Sequence, residues 1–207
     1  MSNVLLVEGN NDYHVVGALC RAHGLPNGLF ETKDCKGDDG ALRTLNASIM
    51  ASEMERPNVI GLMLDADRPD VAGRWQSIRH KLQDYPYLLP EQPVSTGTII
   101  TSTEQGFPQL GFWLMPNNQD IGMLEDFVKE MMPSNCVSVV EQCLIQAQAS
   151  GCTNYKTVHQ SKAIVHTYLA WQNEPGRPIG QAITARALQP GTDTAIQFTT
   201  WLGNLFN

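Results

Sequence analysis

The chain is short of long apolar runs: none approaches the roughly eighteen residues of a membrane span, and its first residues have no basic segment leading into an apolar one. Neither a membrane span nor a secretory leader is therefore expected, and the cytoplasm is the default compartment. Cysteine pairs are missing too. The five cysteines, Cys20, Cys35, Cys136, Cys143 and Cys152, are scattered and odd in number with no C-x-x-C, which reads as reduced thiols. Basic residues are in deficit, 14 Lys+Arg against 21 Asp+Glu for a net charge of -7. That balance argues against a broad, backbone-driven grip on DNA or RNA. It leaves room for a nucleic-acid enzyme whose carboxylates hold divalent cations. Low-complexity blocks and repeat periods are absent.

What remains is a globular composition, 42% hydrophobic over 207 residues, enough for one good-sized core. A single domain over 1-207 is expected, with a core at about 1-133 and a helical extension at about 134-207. Apolar strands are predicted over 3-8, 28-34 and 57-64, and helical spacing over 11-23 with Asn10 or Asn11 as the N-cap and Gly24 as the stop, over 37-55, and from 69 to about 82. "GTIITS" and "QLGFWLMP" resume a strand pattern, and from Gly122 onward only helices are expected. Strand-helix alternation followed by helices predicts an α/β fold. Its central sheet would be mostly parallel and flanked by helices, with a helical C-terminal portion packed against it. The terminal "AIQFTTWLGNLF" is apolar enough to pack internally or to pair with a second copy in a homodimer.

Acidic residues gather where this fold places ligands, at the C-terminal ends of the strands. In "VLLVEGNNDYHVV" Glu8 closes the first strand, Gly9 is expected to allow a tight turn, and Asp12 falls in the first turn of the next helix. In "GLMLDADRP", Asp65 and Asp67 are two apart and share a face if the strand runs through both. Like charges held that close need protons or cations between them. A hard, oxygen-loving ion such as Mg²⁺ answers that need. Each motif has a plainer reading, as a polar strand end or a helix cap.

A third acidic stretch, "NNQDIGMLEDFV", offers Asp120, Glu125 and Asp126. One of its acids completes a metal shell, or all complement the helix dipole. Lys162 lies on the stripe Val158, Lys162, Val165, Leu169. It either snorkels to solvent or reaches the carboxylates and steadies a phosphate. Arg68 and Arg74, just after the aspartate pair, are placed to meet phosphate, with solvation or pairing to Asp70 as the alternative. Trp75, Trp113, Trp171 and Trp201 read as packing residues, and His14, His159 and His166 receive no role.

The order strand-E-G-x-x-D, then strand-D-x-D, carried by Glu8, Gly9 and Asp12 and by Asp65, Ala66 and Asp67, resembles the Toprim domain of topoisomerases, primases and OLD-type nucleases. "GFWLMPNNQDIGMLEDFV" and "SKAIVHTYLA" are similar to Toprim-like proteins of the DUF3226 type and to the C-terminal part of OLD nucleases. The resemblance spans nearly the whole chain and implies a Toprim-like Rossmannoid that hydrolyses phosphodiesters. It implies two Mg²⁺ or Mn²⁺ ions held by Glu8, Asp12, Asp65, Asp67, Glu125 and Asp126, with Glu8, Asp65, Asp67 and Lys162 as catalytic residues. It also implies DNA or RNA as substrate, whose phosphates Arg68 and Arg74 are placed to meet by their position after the aspartate pair.

The chain departs from those families in having no G-x-x-x-x-G-K-[ST] loop. ATP-driven action would need a protein partner that supplies the ATPase or the nucleic-acid grip. Two other readings stay open. One is a catalytically degenerate Toprim-like binding or regulatory module. The other is a phosphatase of the haloacid dehalogenase type, in which the first aspartate of "LDAD" attacks phosphate.

Overall fold

A computed structural model describes residues 3–67 and 69–207. Among them, strands β1 (Val4–Val7), β2 (Glu31–Asp34), β3 (Val59–Asp65), β4 (Thr98–Ile100) and β5 (Gln109–Met115) form one sheet in the order β2-β1-β3-β5-β4. The pairs β1/β2, β1/β3 and β3/β5 are parallel, and only the edge pair β4/β5 is antiparallel. This is the mostly parallel α/β sheet that strand-helix alternation predicts. The chain leaves β1 toward β2 on one side and returns to β3 on the other, so a crevice opens between the ends of β1 and β3.

Both faces of the sheet are covered, which explains why β3 and β5 are apolar at nearly every position. Helices α1 (Asn10–Ala22), α4 (Leu124–Lys129), α5 (Ser134–Ala149), α6 (Gln160–Ala170), α7 (Ile179–Thr184) and α8 (Asp193–Phe206) bury one core with Leu5, Val7, Met63, Trp113 and Met115. Helices α2 (Asp38–Ile49) and α3 (Val71–Leu82) bury the other with Leu6, Ile60, Leu62, Phe112 and Leu114. Trp75, Trp113 and Trp201 are core residues as expected, whereas Trp171 is 51% exposed.

The terminal helix packs internally, the first of the two outcomes its apolar sequence allowed. Two strand glycines make this contact close. A Cβ at Gly111 would stand 2.3 Å from Leu205 Cδ2, and one at Gly61 would stand 3.0 Å from Phe206 Cζ. Glycine in a strand interior weakens the strand and is tolerated where another element approaches closely, and α8 is that element here.

Three local expectations need correction. Helix α1 begins after Gly9, which is its N-cap, rather than after Asn10 or Asn11. Gly9 is also not in a tight turn: its φ of -150° is extended backbone open to any residue. The glycine that needs its freedom is Gly37, at φ 112°, where the chain turns from β2 into α2 and donates its amide to Glu8 O at 2.7 Å. Finally, β3 stops at Asp65, so the aspartate pair does not share one strand face. Ala66 is instead buried and exchanges backbone hydrogen bonds with Gly122 (2.8 and 3.3 Å), which ties "LDAD" to the start of α4.

Candidate functional site

At the ends of β1 and β3 lies a crevice of about 410 Å³ whose lining includes Glu8, Gly9, Asp12, Asp65, Glu125 and Lys162. Five of the sequence-predicted site residues therefore meet there, from stretches spread over most of the chain. Each is fixed by its local element. Glu8 follows β1, and its Oε1 accepts a hydrogen bond from the Asp65 amide at 2.8 Å, linking the two strand ends. Asp12, third residue of α1 and 8% exposed, accepts from the Gly9 amide at 3.0 Å. This is the carboxylate half of a capping box, and it suits a first-turn acid. Asp65, last residue of β3, accepts from the Leu124 amide at 2.9 Å. Each of these three carboxylates spends one oxygen on a main-chain donor.

Glu125 is held in another way. It is 3% exposed, and its partner is Lys162, whose Nζ lies 3.2 Å from Oε1 after reaching in from α6. Lys162 itself stays half-exposed while its ammonium meets Glu125.

The site is electrostatically tense. Burial pushes Asp12 up to about 7, and repulsion from Glu8 adds to this. Burial pushes Asp65 up to about 9, reinforced by the charges of Glu8 and Asp12. Glu8 is also raised, again chiefly by burial, although the Asp65 amide and Arg74 pull it back in part. Such shifts arise where acids are packed together without enough compensating positive charge.

The remaining expected residues stand elsewhere. Asp67 lines a neighbouring cavity of about 350 Å³ together with Asp126 and Lys129, though its charge still raises Glu8. Asp126 serves the local structure, since one oxygen accepts from the Met123 amide at 2.9 Å and the other is hydrogen-bonded by the Ser161 hydroxyl. Arg74 is not displayed toward the crevice for a phosphate. It is 7% exposed and pairs with Asp38 at 2.9 Å, not with Asp70, which caps α3 by accepting from Gly73. Arg68 lies outside the described residues. Asp38 went unnoticed in the sequence although "GDDG" after a strand repeats the strand-turn-acid order of "VEGNND". Its charge also raises Glu8.

Oxygen donors of this kind suit a hard divalent cation. Their placement is less complete: among the described residues, no three Asp, Glu, His or Cys side chains form a group that could hold a metal ion as they stand. A larger cavity of about 630 Å³, lined by Asp70, Trp75, Glu91 and Asn118 among others, has no basic residue and no cluster of raised acids among its described lining residues. Among the described residues no helix is long and apolar enough to cross a membrane.

A family described as Protein of unknown function (DUF3226) matches the sequence over residues 2–207. No curated protein and no solved structure matches it.

Proposed function

We propose, for a chain that belongs to the DUF3226 family, that the crevice is a divalent-metal site for phosphodiester hydrolysis on DNA or RNA, in the manner of a Toprim-like nuclease. One observation carries the reading. Glu8, Asp12 and Asp65 line a single crevice at the switch point of the sheet; burial raises all three, and the charge of Glu8 raises Asp12 and Asp65 further. Folding holds such a group together at a cost, and a cation of charge two removes much of the repulsion.

Mg²⁺ or Mn²⁺ would be held by Glu8, Asp12 and Asp65, and would supply Lewis acidity and charge neutralisation at a phosphodiester. The chain's own part is orientation. The main-chain amides of Asp65, Gly9 and Leu124 fix one oxygen each of Glu8, Asp12 and Asp65, respectively. Lys162, the one basic side chain among the described lining residues, would meet a negatively charged substrate there.

A second reading, a Toprim-like binding or regulatory module without catalysis, is favoured by the lack of a complete ligand group among the described residues and by the net charge of -7. Incubation with supercoiled plasmid and with single-stranded DNA and RNA, in Mg²⁺ or Mn²⁺ and in chelator, separates the two. Metal-dependent cleavage that disappears in Glu8→Gln and Asp65→Asn supports the nuclease. Metal binding without cleavage on any of these substrates favours the binding module.

A further inference from the structure

The sheet ends on β2, and among the described residues no strand pairs with its outer side. The ladder with β1 fixes which groups that side presents. The Glu31 and Cys35 amides donate to Asn3 O and Val7 O at 2.9 Å each, so the odd-numbered residues turn their main chain inward. Successive strand residues alternate, and the amides and carbonyls of Thr32 and Asp34 therefore point outward. An open edge of this kind is a template for another strand.

Charge selects how a second copy of the same edge fits. Outward groups must meet outward groups, which leaves few antiparallel registers about a two-fold axis. Thr32 against Asp34 would set Lys33 opposite Lys33, and Asp34 against Asp34 would set two aspartates together. A slip the other way, Thr32 against Phe30, would set Glu31 opposite Glu31. Thr32 against Thr32 instead places Glu31 of each copy opposite Lys33 of the other. Both residues are exposed and lie on one face of the strand. They would occupy the positions without main-chain hydrogen bonds, where facing side chains come closest.

We propose that β2 is the seam of a homodimer, in which two copies join edge to edge about a two-fold axis at Thr32 and the five-stranded sheet continues into its copy. Each Thr32 amide donates to the Thr32 carbonyl of the other copy, and two Glu31–Lys33 pairs flank these bonds. Asp34 adds no uncompensated charge, since Lys36 pairs with it. A groove of about 510 Å³ beside β2, lined by Lys33 and by residues of α2, adds a second cation, Arg43, on the side of the second copy's Glu31. Glu55 is the acid among its described lining residues. Four strand residues are fewer than the roughly 20–30 a side of a standard interface. The dimer therefore forms in a concentration-dependent equilibrium. It requires neither a bound metal nor the internally packed α8.

Sedimentation velocity of the full-length protein over a concentration series, in chelator and reductant, tests the seam. The wild type is expected to shift from monomer to dimer as concentration rises. Thr32→Pro removes the outward amide and leaves the ladder with β1 whole, a change an edge strand tolerates. This variant, Glu31→Lys and Lys33→Glu are each expected to raise the dissociation constant about tenfold or more, because two symmetric contacts are lost or made repulsive at once. The double variant Glu31→Lys/Lys33→Glu restores opposite charges across the seam, and its dissociation constant is expected to return toward that of the wild type. Circular dichroism checks folding, and the charge variants carry the test if Thr32→Pro does not fold. A monomer at every concentration, a dimer that the single charge variants leave unchanged, or a double variant no tighter than the single ones overturns the inference.

Discussion

Glu8 Oε1 accepts a hydrogen bond from the backbone amide of Asp65 at 2.8 Å, across 57 positions of sequence. The same bond that pins the end of β1 to the end of β3 brings two acids together; burial raises both, and the charge of Glu8 raises Asp65 further. Structure and chemistry are coupled at this point, and substitutions there separate them.

Glu8→Gln keeps an acceptor for the Asp65 amide and removes a charge, whereas Glu8→Ala removes both. In chelator, Glu8→Ala is expected to be less stable than Glu8→Gln by about 1 kcal/mol, the usual net worth of one such hydrogen bond. Both variants are expected to lose Mn²⁺ affinity by at least ~100-fold, more than the loss of an outer-shell partner. Urea denaturation and calorimetry measure the two effects; equal stability of the variants would remove the structural role given to Glu8.

Stability of the metal-free protein should fall as pH rises. Asp12 and Asp65 titrate at about 7 and about 9 in the folded chain, but in the ordinary carboxylate range when unfolded. Between these limits the folded state holds more protons, so the unfolded state gains on it with increasing pH. The slope is at most roughly 1.4 kcal/mol per pH unit for each group. Asp65→Asn removes its share, so the variant's melting temperature should exceed the wild type's at pH 8 and approach it near pH 4. Thermal melts across this range in chelator check the sign, and a wild type that gains stability up to pH 8 contradicts it.

Mn²⁺ should reverse that loss. An ion that binds only the folded chain stabilises it by about 2.7 kcal/mol at a hundred times its dissociation constant. Because the ligands must be ionised, the gain is expected to be larger at pH 8 than at pH 6. Melts with and without Mn²⁺ at the two pH values measure it. An unchanged melting temperature at both would rule out an ion bound to the folded form.

Arg74→Met is expected to weaken folding more than substrate binding. The guanidinium is buried, with Nε lacking a partner among the described residues and Nη1 on Asp38. Its loss removes packing and leaves Asp38 without its ion pair. About 1–3 kcal/mol is expected, within the common range for substitutions of this kind. Urea titration gives the cost and filter binding to single-stranded DNA gives the affinity; a large affinity loss at unchanged stability would restore Arg74 as a phosphate contact.

Gly111→Val tests the seat of α8, since the first added carbon alone meets Leu205 at 2.3 Å. Overpacking at this contact is expected to cost about 1–3 kcal/mol. Denaturation of the variant by urea checks the value, and a neutral result would mean that α8 shifts without penalty.

Much of this molecule follows from local rules that any stretch obeys on its own. The continuous apolar runs "VLLV" and "VIGLML", the three- and four-residue spacing of Val15, Val16 and Leu19, and the stop at Gly24 belong to single elements. For that reason the order of strands and helices was legible, as was the placing of Glu8, Asp12 and Asp65 at strand ends and a helix start. Periodicity carries no information about where an element stops when its next residues could continue it. β3 therefore ended at Asp65 rather than Asp67, because the bridge from Ala66 to Gly122 turned the chain.

Partner choice lies further still from sequence. Glu125 and Asp126 are neighbours with the same charge and the same helix. Yet one faces Lys162 in the crevice and the other caps α4 and meets Ser161. Arg74 looked like an exposed phosphate contact until α2 brought Asp38 beside it. The string of residues sets which acids, which lysine and which order of elements the protein has. Packing alone chooses which oxygens share a crevice and which cation each one meets, because charge pairing acts through a few ångströms of space whatever the separation along the chain.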